Sequence, residues 1–218
     1  MTDSLDCLLT LLVQIISWND YGEAHYIGPI HDPGIPEGAS HYVTNHSHDA
    51  WRTFLPHYIN AYKTWNGTNL AHTSQAADGH SSKYPVSYAE RINYWYRLNP
   101  STSGSANGTT GNNPAMGQHE IEPGKVSQDR VFLSALVFEP RTVKVQIGDN
   151  TPTILSACTA GINHFSVPFN GQTGPVKMAI MRDEGEIVTV TGPVITDQCT
   201  DGMVDWNAVV GSSDDGTA

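Results

Sequence analysis

The sequence predicts an α/β segment followed by an all-β sandwich, and three observations predict it. Residues 11–17 read LLVQIIS, a nearly continuous apolar run of the kind a strand buried on both faces carries. Trp51, Phe54, Leu55, Tyr58, Ile59 and Tyr62 then recur at the spacing of one helix face. Beyond residue 90 the period changes to two, in short runs separated by turn residues, as in an antiparallel sandwich.

Between the first strand and the helix lies YIGPIHDPGIPEGASHYVTNHSHD, a long loop rich in Gly, Pro, Asn and His. Loops of that length inside a domain usually serve function. Asp49 or Ser47 is suited to cap the helix, and Pro56 predicts a kink or a restart within it. Residues 66–83 read as polar loop. In ERINYWYRLNP, Ile92, Tyr94, Tyr96 and Leu98 alternate with Arg91, Asn93, Trp95 and Arg97. Residues 99–128 read as a flexible Gly/Ser/Asn-rich insertion. The runs RVFLSALVF, TVKVQIG, INHFSVPF, VKMAIMR and EIVTVTG read as further strands, with a hairpin turn at Asp183-Glu184-Gly185.

Twenty-two acidic against eleven basic residues give a net charge of −11, which argues against nucleic acid and anionic membrane as partners. A neutral polysaccharide is indifferent to that charge. Low charge content, 15%, and N-x-S/T sequons at Asn45, Asn66 and Asn107 fit a secreted glycoprotein. Of the three cysteines, Cys158 and Cys199 are a candidate disulfide, the alternative being three buried thiols. The start, MTDSLDCLLTLLVQII, has no basic n-region and no small-residue cleavage site, so no signal peptide is expected there. Its apolar run is also too short to span a bilayer. A secreted type of body without an export signal raises the expectation that upstream sequence is missing.

The chemistry concentrates in SWNDYGEAHY. A strand ending at Ser17 would place Asp20 and Glu23 at its C-terminal rim, where catalytic side chains gather in barrels of alternating strands and helices. Two nearby carboxylates can divide their labour, one protonated as an acid and one ionised as a base or nucleophile. Glycosidic cleavage needs that division, because the leaving oxygen is protonated while the sugar carbon is attacked. Trp18, Tyr21, His25 and Tyr26 are the candidate substrate contacts, offering flat faces and hydrogen-bonding tips. The alternatives are a turn residue with a solvated acid, and aromatic residues packed in a core. His41, His46 and His48 lack the companion ligands of a metal site, so no metal and no cofactor is expected.

The segments IISWNDYGEAHYIGPI, AWRTFLPHYINAYK, INYWYRLNP and VDWNAVVGSS resemble the C-terminal portion of family 71 glycoside hydrolases, the fungal endo-α-1,3-glucanases or mutanases. The resemblance implies a (β/α)8 catalytic barrel followed by an accessory β-sandwich, acting on cell-wall α-1,3-glucan with inversion. It implies residues 1–84 as the C-terminal remnant of the barrel and 85–218 as the sandwich, with the insertion at 99–128. It also implies an extracellular or cell-wall location. The catalytic pair of the family matches Asp20 and Glu23; by analogy with related families Asp20 is the base and Glu23 the acid. Without the earlier barrel strands the chain is expected to be inert alone. Two other readings remain: a carbohydrate-binding sandwich using aromatics such as Trp95 or Trp206, and a fragment cut from a longer gene.

Overall fold

The computed structural model describes residues 14–64, 89–106, 117, 119–157 and 159–214. Eight strands form two antiparallel four-stranded sheets: β1 (Arg91–Tyr96), β2 (Arg130–Val137), β3 (Arg141–Ile147), β4 (Thr153–Ala157), β5 (Gly161–Pro168), β6 (Gly174–Arg182), β7 (Gly185–Ile195) and β8 (Val209–Ser212). One sheet runs β5-β2-β1-β8 and the other β4-β3-β6-β7. Alternation decides which side chains meet. Ile92, Tyr94 and Tyr96 of β1 and Val131, Leu133, Ala135 and Val137 of β2 point inward. They pack against Val143, Val145 and Ile147 of β3 and Val176, Met178 and Ile180 of β6 in one core. Each fully buried aliphatic contributes roughly 1.5–3 kcal/mol. The Tyr96 hydroxyl donates to Pro193 O across the sheets at 2.5 Å. Gly211 is required where β8 crosses Tyr94, since a Cβ there would lie 2.3 Å from Cζ of that ring.

The predicted strands from Arg91 to Ile195 are all present, and the hairpin turns at Asp183, whose φ is 52°. β4 and β8 were not foreseen. The insertion is partly ordered: Asn99 Nδ2 donates to Thr196 O at 3.0 Å, Ser105 pairs with Met203, and α3 (Pro123–Val126) follows. Residues 107–116 and 118 of it lie outside the described residues, as does the expected loop over 66–83.

The first part of the chain departs from expectation. Residues 14–17 form no strand, and Ile16 is 72% exposed; residues 11–13 lie outside the described residues. A strand persists only where a neighbour takes up its backbone N–H and C=O groups. Among the described residues there is no closed barrel. The helical periodicity is realised in two pieces, a 3-10 turn over Asp49–Phe54 and α2 (Leu55–Thr64), with Pro56 in the first turn of the restart. Phe54 is buried, but Tyr58, Ile59 and Tyr62 are half exposed. The 3-10 turn lies on the outer face of the first sheet, where Asn93 Nδ2 donates to Ala50 O at 2.8 Å and Thr53 Oγ1 to Asn93 Oδ1 at 2.8 Å. α1 (Ser40–Val43) joins Tyr21 and Tyr26 in a second, small apolar cluster. No helix among the described residues is long and apolar enough to cross a membrane.

Candidate functional site

Residues 17–28 close on themselves. Ser17 N–H donates to His25 O (3.2 Å), Ile27 N–H to Ser17 O (3.0 Å) and Gly28 N–H to Trp18 O (2.9 Å). Inside this frame Asp20 N–H donates to Ser17 Oγ at 3.0 Å and His25 N–H to Asp20 O at 3.1 Å. Ala24 takes a left-handed φ of 57° to complete the turn. Gly28 is needed because a Cβ would sit 2.5 Å from Trp18 O.

That turn brings Asp20, Glu23 and His25 together: one polar side-chain atom of each lies within 4.8 Å of the others. Asp20 is half-buried, Glu23 and His25 are exposed, and His25 Nδ1 stands 3.4 Å from Glu23 Oε2. The three groups have the proximity of cation ligands, which exposed acidic groups often have without binding a cation. As acid–base machinery the arrangement offers two carboxylates on one short turn, reachable from solvent. Trp18 stands beside them on the same loop, 60% exposed, with the Arg52 guanidinium 5.6 Å over its ring.

Two of the expected substrate contacts are corrected. Tyr21 and Tyr26 are buried, and their rings meet edge-on at 5.1 Å. The Tyr21 hydroxyl donates to Pro29 O (2.9 Å) and accepts from His31 N–H (3.0 Å). Their hydroxyls fasten the loop, so neither ring can stack on a sugar. Trp18 and His25 remain accessible. Asn45 is exposed, whereas Asn66 and Asn107 lie outside the described residues. Cys199 is a free thiol, and Cys158, its expected partner, lies outside the described residues.

Beneath the loop lies a buried polar network. The Tyr26 hydroxyl donates to His46 O (2.5 Å) and accepts from Asn207 Nδ2 (3.0 Å), which also donates to Tyr42 O (2.8 Å). Burial pushes the Tyr26 phenol up to about 12. His48 is fully buried, stacked on Tyr26 at 4.0 Å, its Nδ1 2.8 Å from Tyr26 O and its Nε2 3.1 Å from Ala208 O. Both ring nitrogens of His48 thus face backbone carbonyls. His46 Nε2 lies 3.1 Å from Asp205 Oδ2 without hydrogen-bond alignment.

Burial holds the His48 imidazole below its ordinary 6.5, although its backbone partners pull the other way. As pH falls through about 6.5 the unfolded chain therefore binds the proton first, and stability present above that pH is lost towards the lowered folded value. Burial raises the Asp205 carboxyl above its ordinary 3.8, with the neighbouring His46 pulling it back; a raised carboxyl takes its proton first in the folded chain, so Asp205 works against His48 and adds stability as pH falls towards 3.8. Urea midpoints measured from pH 7 to pH 5 are expected to fall for the unsubstituted chain and to fall less for His48→Gln. Equal slopes would remove His48 from the account.

The sequence profile described as glycosyl hydrolase family 71 matches residues 7–218. The chain belongs to that family. It is 32% identical to a mutanase of Penicillium rubens over 206 residues, covering 94% of this chain and 40% of the relative. It is 30% identical to a glucan endo-1,3-alpha-glucosidase of Schizosaccharomyces pombe over 200 residues, covering 92% and 40%. The chain thus spans about 40% of the length of these curated relatives. No solved structure matches it significantly. Within this family 71 chain, sequence reasoning missed Asp205 and Asn207 as partners of the loop. Asn207 lies 181 residues from Tyr26, and no local spacing signals such a contact.

Proposed function

We propose that the chain serves endo-acting, inverting hydrolysis of α-1,3-glucosidic bonds in fungal cell-wall α-1,3-glucan, outside the cell. Asp20 is the base that activates water and Glu23 the acid that protonates the leaving oxygen. Residues 1–84 are the remnant of a (β/α)8 catalytic barrel and 85–218 the accessory β-sandwich. One observation carries this reading: the loop brings two carboxylates together, beside an exposed Trp18, in a chain of this family. The names of the two relatives supply the substrate class.

Inversion needs room for water between the carboxyl groups, which stand roughly 6.5–9.5 Å apart in inverting enzymes. Here the nearest side-chain atoms lie within 4.8 Å, with Glu23 in contact with His25. That contact is between two exposed groups, and such pairs are worth about 0–1 kcal/mol, so Glu23 swings outward at little cost. Proximity and orientation supply as much as ~7–11 kcal/mol of barrier lowering only when walls hold the sugar. Water reaches both Glu23 and His25, and the chain alone is accordingly inert.

The test is reducing-end release from insoluble α-1,3-glucan, by the protein purified from its source and by the 218-residue chain. Proton NMR during the first turnovers reads the stereochemistry. Release by the source protein with the β-anomer appearing first is expected. No release by the source protein overturns the function, α-anomer first overturns inversion, and equal activity of the chain alone overturns its inertness.

A further inference from the structure

The outer face of the first sheet carries a groove of about 270 Å³ that the hydrolytic pair does not use. Trp95 and Phe132 form one wall; they are directly paired across β1 and β2, with ring planes 9° apart and centroids 5.9 Å apart. Trp206 forms another, and Val126 at the end of α3 lines the groove with Ser127 and Gln128 after it. Two arginines line it. Arg97 lies 4.8 Å over the Trp206 ring and is tied to Asp129 at 2.6 Å. Arg130 donates through Nε to Ser166 Oγ (3.0 Å) and through Nη2 to Ser166 O (3.1 Å). Among the described residues no carboxylate lines the groove.

We propose that this groove is a second saccharide-binding site, taking a segment of the neutral glucan chain away from the bond that is cut. Aromatic walls suit the C–H faces of sugar rings, while hydroxyls need fixed donors. Both guanidinium groups are already immobilised by protein partners, so a ligand meets donors whose ordering cost is spent. Asp129 neutralises Arg97, and the net charge of −11 weakens the draw of Arg130 on an anionic polymer, which a comparison with heparin tests. The groove is open to solvent along its border at the exposed Val126 and Gln128, which lets a polymer enter and leave. Ring contacts run from Trp95 through Trp51 (6.4 Å) and His48 (4.6 Å) to Tyr26 (4.0 Å). The groove is therefore packed continuously onto the loop bearing Asp20 and Glu23, and a chain held there is tethered to the cutting site's own scaffold.

This inference rests on the glucan reading, and its test separates the two. The full chain carrying Asp20→Asn and Glu23→Gln is sedimented with insoluble α-1,3-glucan, and its binding to soluble heparin is measured in parallel. Glucan binding is expected to survive those two changes. It is expected to weaken at least about tenfold with Trp95→Ala and with Gln128→Trp, which fills the groove from an exposed position without touching the core. Unfolding midpoints confirm that Gln128→Trp folds. No glucan binding, binding indifferent to Gln128→Trp, or tighter binding of heparin overturns the second site. Hydrolysis by the source protein would leave the proposed function standing in each of those cases.

Discussion

Asp20→Asn and Glu23→Gln are each expected to lower kcat on α-1,3-glucan by about 10²–10⁴-fold with KM little changed, the size of a lost proton transfer. Both substitutions keep the side chain's shape and remove its ability to exchange a proton. Because the chain alone is expected to be inert, the measurement belongs in a chimera in which residues 14–64 replace the matching segment of the Penicillium rubens relative. The pH profile tells the two roles apart. A base must be ionised, so Asp20→Asn removes the acidic limb of the bell; an acid must be protonated, so Glu23→Gln removes the basic limb. Exchange of the limbs would reverse the roles. Two fully active variants would dismiss the pair, and the exposed Glu23–His25 contact would then be an ordinary solvated turn.

How much of this was legible in the sequence differs sharply along the chain. Alternation in RINYWY foretold that Ile92, Tyr94 and Tyr96 face the core, because successive side chains of a strand point to opposite faces and the apolar set takes the one between the sheets. Thr153–Ala157 escaped notice since it is an edge strand, with Thr153 and Ile154 both exposed and no parity to read. The apolar run before Ser17 misled for a different reason. Composition reports that residues wish to be covered, not that a cover is present, and Ile15 and Ile16 stand in solvent. At the site, the D-x-x-E spacing did place two carboxylates together, because a four-residue turn fixes their separation locally. The aromatic residues around them could not be sorted the same way. Trp18 points out while Tyr21 and Tyr26 point in; Tyr21 is held by Pro29 and His31 of the following loop, and Tyr26 by a tertiary partner, Asn207 of the second half of the chain.

Asn207→Ala should accordingly be the most damaging single change outside the acid pair, costing on the order of 3 kcal/mol as several buried groups lose their partner at once. Its Nδ2 serves the Tyr26 hydroxyl and Tyr42 O, and its Oδ1 accepts from Ala208 N–H at 2.8 Å. Tyr26 and Asn207 are themselves buried, so the Tyr26 hydroxyl in particular loses its donor away from solvent. The damage should be uneven. The core between the two sheets contains neither residue, whereas the loop over 17–28 is fastened through Tyr26. Amide exchange at Ile27 and Gly28, whose N–H groups hold the loop closed, is therefore expected to accelerate far more than exchange in β3 and β6. Tyr26→Phe removes only the hydroxyl end of the same network and should reproduce the pattern at about 1–2 kcal/mol. Uniform acceleration across the sheets would mean that Asn207 supports the fold at large. Confined to the loop, it would show that the carboxylate pair is positioned from 181 residues away, through one buried amide.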